Sequence, residues 1–227
     1  TTACTMKSMN QDFYTTLPRL LAFLTSILIL KVTANIVLEY RHYAPPDFEA
    51  DFLQGRESYF WGVYAGAFYV HLLSGPVALV LSLALVSERL RRRAPQWHRR
   101  LGKVQVANIL LLVAPSGLWM ARYAMTGRVA GLGLASLAVA TGICAFCGWR
   151  AALRRDFYWH ERWMRRTFVL LCSAVVLRII GGLATVAQFD APWLYPASAW
   201  ISWLLPLAIF EVWSRIIAPR NALVAAR

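Results

Sequence analysis

Long apolar segments separated by short polar connections make up most of the chain. Six of them are long enough to cross a hydrocarbon core of about 30 Å, which takes roughly 20 helical residues. They lie at Leu17–Glu39, Phe60–Val86, Leu101–Met125, Val129–Leu153, Thr167–Ala187 and Trp193–Ile217. None shows the strict apolar and polar alternation of a transmembrane β-strand. We predict an all-α integral membrane bundle of six transmembrane helices (17–217) between an N-terminal tail (1–16) and a C-terminal tail (218–227).

The distribution of Lys and Arg residues predicts how this bundle lies in the membrane. If the N-terminus is cytoplasmic, 18 of the 24 Lys and Arg residues fall on the cytoplasmic side and four on the other side. Connections on the cytoplasmic side of membrane proteins carry such an excess. We therefore expect both tails to be cytoplasmic, and the protein to be a multi-pass protein of the bacterial inner (cytoplasmic) membrane.

The composition favours lipid as the surroundings of the chain. Apolar residues make up 59% of it and charged residues 15%, whereas soluble domains are about half apolar and a quarter charged. The net charge of +13 could indicate a nucleic-acid-binding protein. The basic residues, however, lie in short segments between apolar ones, where they set orientation. We expect membrane lipids as partners, and no nucleic acid.

Three basic side chains lie inside the predicted spans. His71 and Arg178 are each about 11 residues into their helices, near mid-depth, and Lys31 is within a turn or two of that depth. Ionisable groups inside a membrane are costly and mark candidate functional sites. Without an acid at the same level, they predict a ligand with acceptor groups. A quinone carbonyl, a haem propionate, a lipid phosphate or a carboxylate of a neighbouring chain would each serve.

Internal contacts are the alternative for all three groups. Lys31 could reach Glu39 through Asn35, which follow it at four-residue intervals on one helix face. Arg178 could bond backbone carbonyls near its own helix glycines, and His71 could be a donor between helices.

Two similar motifs open the third and fifth predicted spans. Trp97-His98-Arg99-Arg100 and Trp159-His160-Glu161-Arg162 are 62 residues apart, and they indicate either an internal duplication or a chance similarity. Their histidines are matched at the cytoplasmic boundary. A haem or metal ion between His98 and His160, with Asp156 as a further ligand, is one interpretation; contacts to loops and lipid headgroups are the other.

Other patterns predict helix packing rather than chemistry. Cys144 and Cys147 form a C-x-x-C inside an apolar helix, where small packing residues are favoured over a redox or metal pair. Glycines at 62, 66 and 75 favour close helix approach in the second span; a flat surface for a cofactor ring is the alternative interpretation. Glu211 and Arg215 have the spacing of an ion pair within one helix.

Several motifs, in order, resemble a known family. They are His71-Leu72-Leu73-Ser74-Gly75-Pro76, His98-Arg99-Arg100-Leu101-Gly102-Lys103, Arg155-Asp156 with His160-Glu161-Arg162-Trp163-Met164-Arg165-Arg166, and Leu177-Arg178. Together they resemble a bacterial family of predicted polytopic membrane proteins, described as a domain of unknown function. The resemblance covers about Phe60 to Arg178, and the family usually has Arg where Glu161 stands here. It implies the same topology and marks these positions without implying an activity.

Three functions are compatible with these features. The water-facing segments contain no nucleophile–base pair, phosphate loop or paired carboxylates, so the sequence does not predict an enzyme. The first hypothesis is a non-catalytic accessory or scaffold subunit that packs against other membrane-protein subunits, in a respiratory or photosynthetic complex of electron transfer. The second is a small electron carrier that binds b-type haem or quinone, and the third is a transporter or lipid-handling protein. The candidate cofactor-binding residues are His71, Arg178, Lys31, His98 and His160; bound lipid is expected, and no residue is assigned to a metal.

Overall fold

The computed structural model describes residues 2–50, 52–124 and 126–225. In these ranges the chain contains helices and no strand, and six helices are long and apolar enough to cross a membrane. The prediction of an all-α bundle with six transmembrane helices is therefore confirmed. The described side chains lie between residues 20 and 216.

The helices follow one another through short connections. They are α1 (Thr2–Leu38), α2 (Glu57–Phe60), α3 (Val63–Val86), α4 (Glu88–Arg93), α5 (Pro95–Asn108), α6 (Ala114–Ala121), α7 (Arg128–Leu153), α8 (Phe157–Leu171), α9 (Ser173–Val186) and α10 (Leu194–Ala225). A 3-10 turn (Glu39–His42) extends α1, and a π-helical turn (Ile109–Val113) joins α5 to α6. The first to sixth spans are Leu20–His42, Val63–Val86, Pro95–Ala121, Arg128–Leu153, Phe157–Val186 and Leu194–Ile216.

The third and fifth spans begin earlier than the apolar pattern predicts. Pro95 is the first residue of the third, a position where its missing N–H costs nothing. In the fifth, the carboxylate of Asp156 caps the helix by accepting a 3.2 Å hydrogen bond from the backbone N–H of Trp159. The first turns of both helices are rich in charge, so hydropathy misses them. His98 and His160 consequently lie on helices rather than in loops.

Both of these spans are also interrupted at similar distances from their histidines. The π-helical turn starts at Ile109 and ends two residues before Pro115, whose ring and missing N–H disturb a regular helix. The fifth span breaks at Cys172, where the carbonyl accepts from Val175 three residues on. The breaks lie 11 and 12 residues after His98 and His160. The two segments are thus similar in the position of their helix interruption as well as in sequence.

The two ends of the bundle differ in chemistry. One end, which we call the tyrosine-rich end, has seven of the nine tyrosines: Tyr40, Tyr43, Tyr59, Tyr64, Tyr69, Tyr123 and Tyr195. The connection between the first two spans folds over this end, where Leu53, Phe60, Tyr64 and Phe68 form a buried cluster. The opposite, arginine-rich end is joined by an ion pair of 3.0 Å between Arg91 and Glu161.

Close helix approach occurs in the fourth span, not at the predicted glycines of the second. A Cβ added at residue 62, 66 or 75 would have no atom within 4 Å, so that prediction is wrong. At Gly148, by contrast, an added Cβ would lie 2.7 Å from Met164 Sδ. Cys144 packs with Leu170 and Trp203, as expected of a small packing residue.

Candidate functional site

A line of hydrogen bonds joins the second and third spans inside the bundle. The fully buried Gln105 donates from Nε2 to the carbonyl of Ala78 at 2.8 Å and to Ser82 Oγ at 2.7 Å. One turn further, Asn108 donates to the carbonyl of Ser74 at 3.1 Å. The sequence analysis missed this polar seam. The sequence feature that could have predicted it is the four-residue spacing of Ser74, Ala78 and Ser82. These small residues leave room for an amide side chain.

His71 continues the seam towards the tyrosine-rich end. Its Nδ1 lies 3.0 Å from Ser116 Oγ. The Ser116 hydroxyl donates to the carbonyl of Leu112, so its oxygen accepts from the imidazole, and we assign the ring proton to Nδ1. Gly117 leaves room for the ring, because a Cβ there would lie 3.1 Å from His71 Cε1. This geometry fits the interpretation of His71 as a donor between helices.

Arg178 lies near His71 but has none of the internal partners considered for it. Within the described ranges, its guanidinium makes no hydrogen bond and no ion pair. Among the described residues, the phenols of Tyr40, Tyr43 and Tyr195 and the imidazole of His71 interact electrostatically with this guanidinium. Both Arg178 and His71 are about eight residues, or 12 Å, from the tyrosine-rich ends of their spans. They are matched in depth, nearer this end than the sequence predicts.

Arg56 is a second cation of this region that the sequence analysis did not single out. It is 4% exposed, donates from Nε to Tyr64 Oη at 3.1 Å and from Nη1 to the carbonyl of Phe52 at 2.6 Å. Its guanidinium also lies 4.4 Å from the centre of the Phe52 ring. Tyr195 is within electrostatic range of both Arg56 and Arg178. The sequence feature that could have pointed to Arg56 is an arginine among aromatic residues in an acidic connection.

Lys31 is separate from this region. The residues two before and two after it, Ile29 and Thr33, are 3% and 5% exposed and face the bundle. At 100° per residue Lys31 therefore points away from the bundle. Lys31, Asn35 and Glu39 are all exposed, and no hydrogen bond or ion pair joins them in the described part of the chain.

The structure brings His98 and His160 together at the arginine-rich end. They are within electrostatic range of each other, and Nδ1 of His160 donates to the carbonyl of Gly148 at 2.8 Å. Nδ1 of His98 is buried and has no hydrogen-bond partner among the described residues. Asp156 caps its helix rather than completing a ligand set. No group of three or more His, Cys, Asp or Glu residues that could hold a metal occurs in the described chain.

These two histidines are far from His71. His71 contacts Ser116, which lies 18 residues along the third span from His98, about 27 Å away in a helix. Neither His98 nor His160 could therefore bind the same haem as His71. The remaining candidates fall into three places: the His71–Arg178 region, the His98–His160 pair and the outer face at Lys31.

Comparison with known proteins places the chain in a family. The family described as "Predicted membrane protein (DUF2306)" matches residues 68–214. The chain belongs to this family. Its function is unknown, so membership agrees with the membrane bundle and assigns no chemistry to the three places. No curated protein and no solved structure matches the chain.

Proposed function

We propose that this integral membrane protein is a non-catalytic accessory subunit that packs against a larger membrane complex through its first span. The contact surface is the polar face of Lys31, Asn35 and Glu39. The observation that carries the proposal is the position of Lys31. It lies about 11 residues, or 16 Å, from either end of the span and points away from the bundle.

An ammonium group at this position is unfavourable in lipid alone. Cations at the centre of a transmembrane helix cost about 2.5–3.5 kcal/mol on insertion scales. Lys side chains near helix ends avoid this cost by extending to the interface, but a four-carbon stem is much shorter than 16 Å. A hydrogen-bonded partner inside the membrane removes the cost. Asn35, one turn away on the same face, adds a second group that needs such a partner.

The first span is also the least covered of the six. In its apolar window 11% of residues are buried within the chain, against 22–33% in the other spans. A partner helix on its outer face would give it the coverage that the others already have.

The charges on this face indicate the kind of partner. In a two-fold dimer within the membrane, each residue of an interface helix meets its own copy at the same depth. Lys31 would then lie beside a second Lys31, with no carboxylate at that level. The face fits instead a transmembrane helix of a different chain that has an Asp or Glu at mid-depth. That this chain belongs to a respiratory or photosynthetic complex stays a prediction.

The test is gentle purification from the native membrane, followed by identification of the proteins that co-purify. The variants are Lys31→Leu and, as a matched control, Lys103→Leu, which removes a lysine from the arginine-rich end. We expect one membrane protein to accompany the wild type and the control in a fixed ratio. Lys31→Leu should reduce its recovery about tenfold or more, because the partner's carboxylate loses its counter-charge.

A second measurement separates loss of the partner from loss of the fold. The isolated Lys31→Leu variant should unfold at the same temperature as the wild type or higher, since it no longer carries an unpaired cation. In the partner, replacement of the mid-depth carboxylate by its amide should reproduce the loss. A partner that stays bound to Lys31→Leu, or the absence of any partner in a fixed ratio, would overturn the proposal.

A further inference from the structure

The two similar motifs at the arginine-rich end each place an indole beside a guanidinium. Cζ of Arg100 lies 5.8 Å from the ring centre of Trp97, at the start of the third span. Cζ of Arg162 lies at the same distance from the ring of Trp159, at the start of the fifth span. The two indoles are 57% and 43% exposed. Exposed indoles at the ends of transmembrane helices lie at the level of lipid headgroups, so each motif presents a Trp and Arg pair at that level.

The guanidinium groups of the two pairs differ in their other contacts. Arg162 donates to Tyr158 Oη and to Ser214 Oγ, both at 3.3 Å. It also lies 3.5 Å from the carboxylate of Glu211. Arg100 is exposed, and among the residues whose side chains the structure describes it forms no hydrogen bond and no ion pair. The protein thus uses the guanidinium of the second motif, and that of the first motif is available to a ligand.

The acidic residues of this end do not neutralise Arg100. Glu88 and Glu161 form ion pairs with other arginines. Glu211 pairs with arginines of the fifth span, and Asp156 caps that span. Each acidic side chain that the structure describes at the arginine-rich end therefore has another partner. An anion that pairs with Arg100 has to come from outside the described chain.

An apolar strip, formed by Val104, Ala107 and Leu111, continues from Arg100 along the third span. These residues follow Arg100 at intervals of three or four, which places them on the same side of the helix. All three are exposed at the surface of the bundle. From Arg100 to Leu111 the helix rises about 16 Å, close to half of a hydrocarbon core of about 30 Å. The surface therefore has a cationic end and an apolar side as long as one leaflet is thick.

We propose that Trp97, Arg100 and the apolar strip form a binding site for one anionic phospholipid of the leaflet at the arginine-rich end. The lipid phosphate accepts charge-assisted hydrogen bonds from the guanidinium of Arg100. The indole of Trp97 holds that guanidinium by a cation–π contact, and an acyl chain lies along the strip. Lys103, six residues after Trp97, is about 120° from it around the helix and lies outside the site.

The surrounding charges favour an anionic lipid over a zwitterionic one. Phosphatidylglycerol has a net negative charge, whereas phosphatidylcholine also carries an ammonium group that the excess of arginines at this end disfavours. The site lies on the third span, so it does not depend on the partner contact proposed for the first span. Either proposal can fail without the other.

The experiment uses the full chain in nanodiscs of phosphatidylcholine, with or without phosphatidylglycerol. The readouts are the phosphatidylglycerol retained per chain in native mass spectrometry and the unfolding temperature. We expect the wild type to retain phosphatidylglycerol and to unfold at a higher temperature in its presence. Glycerol 3-phosphate, which has a phosphate but no acyl chain, should have no effect at the same concentration. An equal effect of glycerol 3-phosphate would overturn the proposal, because the apolar strip would then take no part.

Single substitutions separate this site from the general attraction of anionic lipids to a basic surface. Arg100→Gln should weaken the retention of phosphatidylglycerol about tenfold or more, since it removes charge-assisted hydrogen bonds. Trp97→Leu should weaken it about two- to fivefold, the range expected for an exposed cation–π contact. Arg154→Gln is the matched control, because Arg154 is an exposed arginine of the same end on another span. It should leave the retention nearly unchanged.

A second measurement shows that the substitutions act on the lipid rather than on the fold. In phosphatidylcholine alone, Arg100→Gln should unfold at the temperature of the wild type, because its only contact within the described chain is with the Trp97 ring. Absence of phosphatidylglycerol retention by the wild type would overturn the proposal. Equal losses in Arg100→Gln and Arg154→Gln would also overturn it, since general attraction would then be sufficient.

Discussion

The carboxylate of Glu211 in the sixth span accepts two hydrogen bonds from the guanidinium of Arg166 in the fifth span. Arg162, one turn away, lies 3.5 Å from the same carboxylate. The sequence predicts instead a pair between Glu211 and Arg215 on one helix, and this prediction is wrong. Glu211 and Arg166 are 24% and 14% exposed, so one partly buried carboxylate serves two guanidinium groups across a helix interface.

We predict that Glu211→Gln destabilises the protein more than any change to its exposed ion pairs. The amide keeps the size of the side chain but removes the charge, which leaves Arg162 and Arg166 close together without a counter-ion. A hydrogen bond to a charged group contributes about 1.5–3 kcal/mol, and a loss of this order should lower the unfolding temperature by several degrees. Thermal unfolding in a mild detergent measures it.

Glu88→Gln is the matched control for this change. Glu88 pairs with Arg91 and Arg92 on the exposed surface of the arginine-rich end, where ion pairs contribute about 0–1 kcal/mol. The unfolding temperature of the Glu88→Gln variant should stay close to that of the wild type. Equal effects of the two substitutions would mean that the contact between the fifth and sixth spans does not depend on the charge of Glu211.

The polar seam predicts energetic coupling between the second and third spans. Gln105→Leu and Ser82→Ala each remove one side of a 2.7 Å hydrogen bond, so their combined cost should be less than the sum of the single costs. A double-mutant cycle should give a coupling of about 0.6 kcal/mol, the average for hydrogen bonds between membrane helices. Ser26→Ala with Gln105→Leu is the control, since Ser26 bonds only within its own helix. Strict additivity in both cycles would contradict the coupling.

Two glycines are expected to respond in opposite directions to alanine. At Gly131 a Cβ would lie 2.7 Å from the backbone carbonyl oxygen of Ala121, so Gly131→Ala should lower the unfolding temperature. At Gly75 it would meet nothing within 4 Å, so Gly75→Ala should be neutral or raise it, because alanine favours the helix by about 0.5–1 kcal/mol. Gly148→Ala should have a smaller effect than Gly131→Ala, because the atom nearest to its Cβ, Met164 Sδ, belongs to a flexible side chain that can move. The same sign at Gly131 and Gly75 would count against the helix packing described.

The six spans could be predicted because each depends on properties of one segment. Length and apolarity determine whether a helix can cross a membrane, and four of the six spans agree with their predicted bounds within about three residues. The third and fifth spans were predicted to begin later in the chain than they do. Their starts depend on Pro95 and on the cap formed by Asp156, local signals that an apolar window does not read.

The partners of the polar residues could not be predicted in the same way. Glu211 pairs with a residue 45 positions away, and Gln105 with one 23 positions away. Such contacts depend on how neighbouring helices are rotated and shifted, which one helix's periodicity does not contain. Arg56 differs, because its partners Phe52 and Tyr64 are only four and eight residues away. Its burial depends on how the connection folds over the end of the second span, which the order of residues in the connection does not contain.

The excess of basic residues at one end predicts the orientation of the bundle, which cysteine labelling can test. In a background with the native cysteines replaced, Glu49→Cys reports on the tyrosine-rich end and Arg93→Cys on the arginine-rich end; both positions are exposed. Moving a segment rich in arginine across the membrane is unfavourable, so the arginine-rich end should face the cytoplasm. A membrane-impermeant maleimide should therefore label Glu49→Cys in intact cells, and Arg93→Cys only after the membrane is permeabilised.

Either outcome of this labelling decides which end of the bundle faces the cytoplasm. If Glu49→Cys is labelled from outside, the tyrosine-rich end faces away from the cytoplasm, as predicted. If only Arg93→Cys is labelled from outside, the predicted orientation is wrong, and the tyrosine-rich end faces the cytoplasm. Leu111→Cys is the control, since Leu111 is 72% exposed in the third span. The maleimide should not label this cysteine from either side, because lipid rather than water covers that surface.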